Sequence, residues 1–185
     1  ALPISDNSGL LIGSKDDEIE QIYLSLDVDS KLLEEVLPNS LIITHHPLIF
    51  SGLKQLNFAK YPSNLIQIMV QKKISLIAMH TNFDLSHLNA YVASKLGFEI
   101  QESREFVAYC EVNKSFDDLI VQVKEVFGIE HIRVVKAKEW INRCAITTGS
   151  GGDLISKIDA DCFLSGDLKY HQALEAKENN LSLND

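Results

Sequence analysis

Short runs of apolar residues alternate along the chain with segments of helical period, and that rhythm predicts an α/β fold. Residues 19–28 (IEQIYLSLDV) place Ile and Leu at every second or third position, as a strand does. Ser30 then stands as an N-cap for a helix over 31–37 that Pro38 stops. Residues 40–44 (SLIIT) and 74–79 (ISLIAM) are continuous apolar strands, separated by a helix over 62–73 with Leu65, Ile66, Met69 and Val70 on one face. A helix over 86–96 closes at Gly97. The pattern restarts with strands at 106–112, 132–135, 141–147 and 161–164, helices at 115–127 and 167–179, and a strand beginning near 180–183. Apolar strands lying between helices indicate mostly parallel or mixed sheets covered by helices. The polar stretch around 97–115 suggests a boundary, giving an N-terminal lobe 1–100 and a C-terminal lobe 101–185 of similar rhythm.

Open α/β sheets bind ligands beyond the carboxyl ends of their strands, so the residues that follow each strand are the first candidates for chemistry. After SLIIT come His45, His46 and Pro47; after ISLIAM come His80, Thr81, Asn82, Phe83 and Asp84. Two imidazoles together favour a transition metal over calcium or magnesium, and a carboxylate such as Asp84 can bridge two ions. The plainer readings are one packed and one solvated ring at 45–46, and Asp84 as the cap of the helix near Ser86. Gly149, Ser150, Gly151, Gly152 and Asp153 follow another strand, either as a phosphate cradle or as a tight turn. Asp167 and His171 stand four apart on a helix, either as a cap with a partner histidine or as a catalytic pair.

Composition narrows the choice. The 185 residues are 45% hydrophobic and 23% charged, as in ordinary globular proteins, and long enough to bury a core without staples. A net charge of −9 and the lack of any long basic run argue against a nucleic-acid partner. No stretch is apolar enough to span a bilayer, and no signal peptide is visible, so a cytoplasmic location is expected. Cys110, Cys144 and Cys162 are odd in number and widely spaced, which suits buried thiols rather than disulfides or a zinc ribbon. No nucleophile elbow is present, so acyl transfer through serine has no support.

Five motifs in order, DNSGLLIGS at 6–14, THHP at 44–47, HTNFD at 80–84, TTGSGGD at 147–153 and SGDLKYHQALEA at 165–176, resemble the GTP cyclohydrolase I type 2 family, also called the NGG-interacting-factor-like family. The resemblance implies two similar lobes facing each other across a metal site, and a toroidal homohexamer built as a trimer of dimers. It implies two divalent metal ions (iron, zinc or manganese), with His45 and His46 each holding one, Asp84 bridging them, and His80 as the acid/base or orienting group. It implies a compact form without the large insertion some members carry between the lobes. It also implies a small-molecule substrate, GTP, hydrolysed to dihydroneopterin triphosphate and formate; a phosphoester hydrolase or a non-enzymatic metal-binding scaffold are the alternatives. The family's N-terminal helix and its C-terminal Gly-His-x-x-Ser-Glu segment lie outside the 185 residues, and the first residue is Ala rather than Met, so missing ends are expected.

Overall fold

A computed structural model describes residues 6–185. The described residues fall into two units, 6–83 and Asp84–Asp185, each with its own sheet.

The first unit contains β1 (Gly9–Ile12), β2 (Gln21–Ser25), α1 (Ser30–Glu35), β3 (Ser40–Thr44), α2 (Ser63–Lys72), β4 (Ser75–Ala78) and a single helical turn, α3 (Thr81–Phe83). The sheet order is β1-β4-β3-β2, with β2, β3 and β4 parallel and β1 antiparallel to β4. Strand alternation turns Ile42 and Leu76 onto one face, where Leu33 and Val36 of the α1 region and Leu65 and Met69 of α2 cover them. Each such side chain contributes roughly 1.5–3 kcal/mol when fully buried. The cap of α1 is Asp29, whose Oδ1 accepts from the Leu32 amide at 2.7 Å, so the helix starts at Ser30 and Ser30 is not itself the cap.

The second unit opens with a π-helical turn at Asp84–Leu88 and α4 (Asn89–Lys95). It continues with β5 (Ile100–Arg104), β6 (Val107–Ser115), α5 (Phe116–Phe127), β7 (Val134–Val135), β8 (Trp140–Ser150), a 3₁₀ turn (Gly152–Lys157), β9 (Cys162–Gly166), α6 (Tyr170–Glu178) and β10 (Ser182–Asn184). The order is β5-β6-β8-β9-β10-β7, in which β8, β9 and β10 are parallel and the remaining pairs antiparallel. One face packs Ala93, Leu96, Leu119 and Val123 against Cys110, Cys144, Ile146 and Cys162. The other packs Leu154, Ile155 and Ala176 against Tyr109, Ala145, Phe163 and Leu183. All three cysteines are free and buried, and burial pushes the Cys110 thiol up to about 11.

The division between Phe83 and Asp84 differs from the expected boundary at residue 100. The reason is packing: Ala93, Leu96 and Phe98 belong to the core under β6 and β8, so α4 goes with the second sheet. The helix expected from Ser86 begins earlier, because Thr81–Phe83 and the π turn are already helical. Three elements were absent from the apolar pattern, β1, β5 and the 3₁₀ turn, while the strand expected to begin near 180–183 is β10.

Candidate metal centre

Strands β3 and β4 are parallel neighbours, so their carboxyl ends lie side by side and bring residues 45–46 next to residue 80. Adjacent residues on a regular strand face opposite ways. Here the Thr44 hydroxyl donates to the His46 carbonyl at 2.9 Å and turns the chain, and the His46 amide donates back to the Leu26 carbonyl at 2.9 Å. Both rings consequently reach one place. Ring centroids are 5.0 Å apart for His45 and His46, 5.1 Å for His45 and His80, and 5.9 Å for His46 and His80. One ligand nitrogen from each of the three lies within 4.8 Å of the others.

The outer partners fix the tautomers. His45 Nδ1 is 3.0 Å from the Met79 carbonyl, which can only accept, so that nitrogen carries the proton. His46 Nδ1 meets Asp27 Oδ1 at 2.9 Å, and His80 Nδ1 meets Asp6 Oδ2 at 2.5 Å. A carboxylate likewise accepts, so all three rings are Nδ1–H donors with the lone pair on Nε2. This is the arrangement by which proteins orient imidazoles for a metal. The donor set therefore fits a divalent transition-metal ion. The Asp6 side chain is only 8% exposed, and its Oδ1 has no hydrogen-bond partner among the described residues. Burial acts to raise the Asp6 carboxyl, but hydrogen bonds from Thr81, His80 and Ser8 outweigh it and hold the group below the ordinary carboxylate value.

Asp84 lies in the second unit, in the π turn, and is buried. Helical turns already run from Thr81, so no helix begins near Ser86 for it to cap, and its Oδ1 accepts from the Thr148 hydroxyl at 3.2 Å. Thr148 is in turn tied to Asn89, whose Oδ1 accepts from the Thr148 amide at 2.8 Å and lies 3.0 Å from its hydroxyl. A single hydroxyl proton serves one of the two oxygens at a time. Asn89 Nδ2 donates to the Phe106 carbonyl at 2.8 Å, which ties the π turn to the strand network. π turns concentrate at functional positions.

The other sequence candidates, all in the second unit, have structural accounts of their own. A Cβ on Gly151 would lie 2.3 Å from Ser165 Oγ and 2.7 Å from the Phe163 ring, so close packing requires that glycine, whereas one on Gly152 would meet only the movable end of the Gln172 side chain. That accounts for the Gly-rich segment as a turn. Helix α6 starts at Tyr170, which leaves Asp167 outside it; Asp167 and His171 are both exposed and do not share a helix face. The apolar pattern alone marks neither Asp27 nor Asp6. Asp27 follows β2 at a carboxyl end and the strand-end rule would have reached it. Asp6 precedes β1, and only the antiparallel pairing of β1 with β4 reveals that a residue before a strand lies at the same end.

The sequence matches the Duf34/NIF3 (NGG1p interacting factor 3) family over residues 4–185. The chain belongs to the NIF3 family. It is similar to a GTP cyclohydrolase 1 type 2 homolog of Campylobacter jejuni, 56% identical over 97% of this chain and 76% of that protein. It is also similar to a GTP cyclohydrolase 1 type 2 of Helicobacter pylori, 40% identical over 97% of this chain and 75% of that protein. Among solved structures, reduced HcgD from Methanocaldococcus jannaschii superposes with a TM-score of 0.84 at 25% identity, covering 98% of this chain and 78% of that one. A Staphylococcus aureus hypothetical protein gives 0.82 at 28% identity, covering 98% and 78%. The two-sheet α/β architecture is thus the NIF3 fold. Among the described residues no helix is long and apolar enough to cross a membrane.

Proposed function

We propose that this NIF3-family chain is a metal-dependent hydrolase of the GTP cyclohydrolase 1 type 2 kind, opening the guanine imidazole ring with water to give dihydroneopterin triphosphate and formate. The observation that carries the reading is the set of three imidazoles, each held as an Nδ1–H donor, with ligand nitrogens gathered within 4.8 Å. The Helicobacter pylori relative's name supplies the substrate.

In this reading His45 and His46 would hold two divalent ions (iron, zinc or manganese), with Asp84, the carboxylate of the HTNFD motif, as the further ligand that the family resemblance implies. When bound, such ions supply Lewis-acid activation of water at neutral pH. The Met79 carbonyl and Asp27 fix the rotation of the His45 and His46 rings, so that each presents the same nitrogen throughout. His80 is the third imidazole of the set: with its Nδ1–H held on Asp6 it would offer Nε2 to the ions or, while that nitrogen is free of them, take up and return a proton there, the adjacent carboxylate stabilising the imidazolium that forms. Asp6 suits that role because its hydrogen bonds keep it ionised. A cytoplasmic homohexamer belongs to the same proposal.

The test is a product assay on two substrates. Metal-loaded protein is incubated with GTP and with a simple phosphomonoester, and formate and phosphate are both measured. Formate from GTP supports the reading. Phosphate from the ester without formate from GTP removes it in favour of a phosphoester hydrolase.

A further inference from the structure

We propose that the loop at residues 50–61 recognises an anionic ligand with a planar aromatic ring, Phe50 taking the ring and Lys54 and Lys60 the negative charge. The choice of a guanine nucleotide as probe rests on the function proposed above; the loop assignment rests on the following features.

Buried Pro47 and Leu48 anchor the chain beyond the histidines, and Asn7 Nδ2 donates to the Ile49 carbonyl at 2.8 Å. Phe50 then emerges 66% exposed, its ring centroid 6.5 Å from that of His80 and nearly perpendicular to it. An aromatic face thus stands at the edge of the imidazole cluster. Residues 51–61 are all exposed, yet they include Leu53, Leu56, Phe58 and Tyr61. The loop is shaped rather than formless: Asn57 Oδ1 accepts from the Ala59 amide at 3.0 Å and the Asn57 carbonyl from the Lys60 amide at 2.9 Å. Exposed apolar groups gathered on a built loop beside a candidate centre mark a contact surface.

Charge identifies the ligand's sign. From residue 36 to residue 83 the chain has no Asp or Glu, although the protein holds 26 of them. The same stretch carries Lys54, Lys60, Lys72 and Lys73. Lys72 is committed to the Leu33 and Val36 carbonyls at the end of α1. Lys54 and Lys60 are exposed, and neither ammonium is in an ion pair among the described residues. A chain of net charge −9 repels a polyphosphate as a whole, and a loop without carboxylates adds nothing to that repulsion. A planar ring that stacks on Phe50 joined to phosphates that meet lysines is the chemistry of a nucleotide.

The experiment measures equilibrium binding of GTP, guanosine and inorganic tripolyphosphate to the full chain with manganese, for wild type, Phe50→Ala, Phe50→Trp and Lys54→Ala/Lys60→Ala. Losing a base–aromatic stack weakens binding about tenfold. We expect Phe50→Ala to weaken GTP and guanosine by that factor and to spare tripolyphosphate, with Phe50→Trp restoring both. The double lysine variant should weaken GTP and tripolyphosphate and spare guanosine. Equal affinities across the variants, or a wild type that binds none of the three probes, overturns the proposal. Formate release in the same samples keeps the two readings apart. Turnover of GTP with an unchanged KM in Phe50→Ala sinks the loop assignment and leaves the hydrolase; the expected binding pattern without formate does the reverse.

Discussion

Removing the carboxylates behind His80 and His46 should have unequal effects on metal affinity, because the two pairs differ in burial. The Asp6 side chain is 8% exposed and its partner His80 21%, whereas Asp27 is 67% and His46 52% exposed. Outer partners that orient metal-binding imidazoles change affinity by about tenfold to a hundredfold, or about 1.4–2.7 kcal/mol. The buried pair belongs in that range: Asp6 also binds the Thr81 amide at 3.2 Å, so Asp6→Ala frees both the ring and the turn that begins α3. An exposed pair contributes no more than about 1 kcal/mol, so Asp27→Ala should weaken binding by at most about fivefold. The assay is a calorimetric zinc or manganese titration of both variants beside wild type, with circular dichroism confirming that each is folded. Equal losses for the two variants, or no loss for Asp6→Ala, would refute the view that these hydrogen bonds preorganise the centre.

Three further outcomes follow from the packing and charge. Asn89→Ala removes the acceptor of the Thr148 amide and a donor to the Phe106 carbonyl, while Thr147 Oγ1 still donates to that carbonyl at 2.9 Å. One orphaned amide and a lost bond should cost about 2–3 kcal/mol and lower Tm by about 4–12 °C, read by thermal denaturation. Gly151→Ala drives a Cβ to 2.3 Å from Ser165 Oγ and 2.7 Å from the Phe163 ring, and should cost about 1–3 kcal/mol in a urea titration. Burial acts to raise the Asp161 carboxyl, but Lys138 and the Arg143 and Asn142 amides outweigh it and hold the group below its ordinary value. A carboxyl lowered on folding adds stability above its unfolded pKa, and that stability is lost as pH falls through the folded value. The deficit of Asp161→Asn in urea should therefore be largest near neutral pH and shrink below about pH 4; a deficit that grows with acid would contradict the assignment.

Much of this was legible in the chain, and the gaps have physical causes. SLIIT and the His45–His46 pair after it were readable because an unbroken apolar strand announces its own end. His80 was readable for the same reason after β4. Its membership in the cluster needed the parallel register of β3 with β4, which no local pattern contains. Asp6 escaped notice because β1 is four residues long and antiparallel, so its beginning, not its end, lies beside His80. The division at Asp84 was hidden because helical period says which face of α4 is apolar, not which sheet that face covers.

Metal-dependent hydrolysis of GTP at the imidazole cluster is decided by formate release, measured for metal-free protein, protein reloaded with iron(II), zinc or manganese, and the His46→Ala variant. Formate is expected only from the reloaded wild type, with a large loss in the variant. Formate from the metal-free protein, an equal rate in His46→Ala, or silence from a wild type shown to bind metal would contradict it.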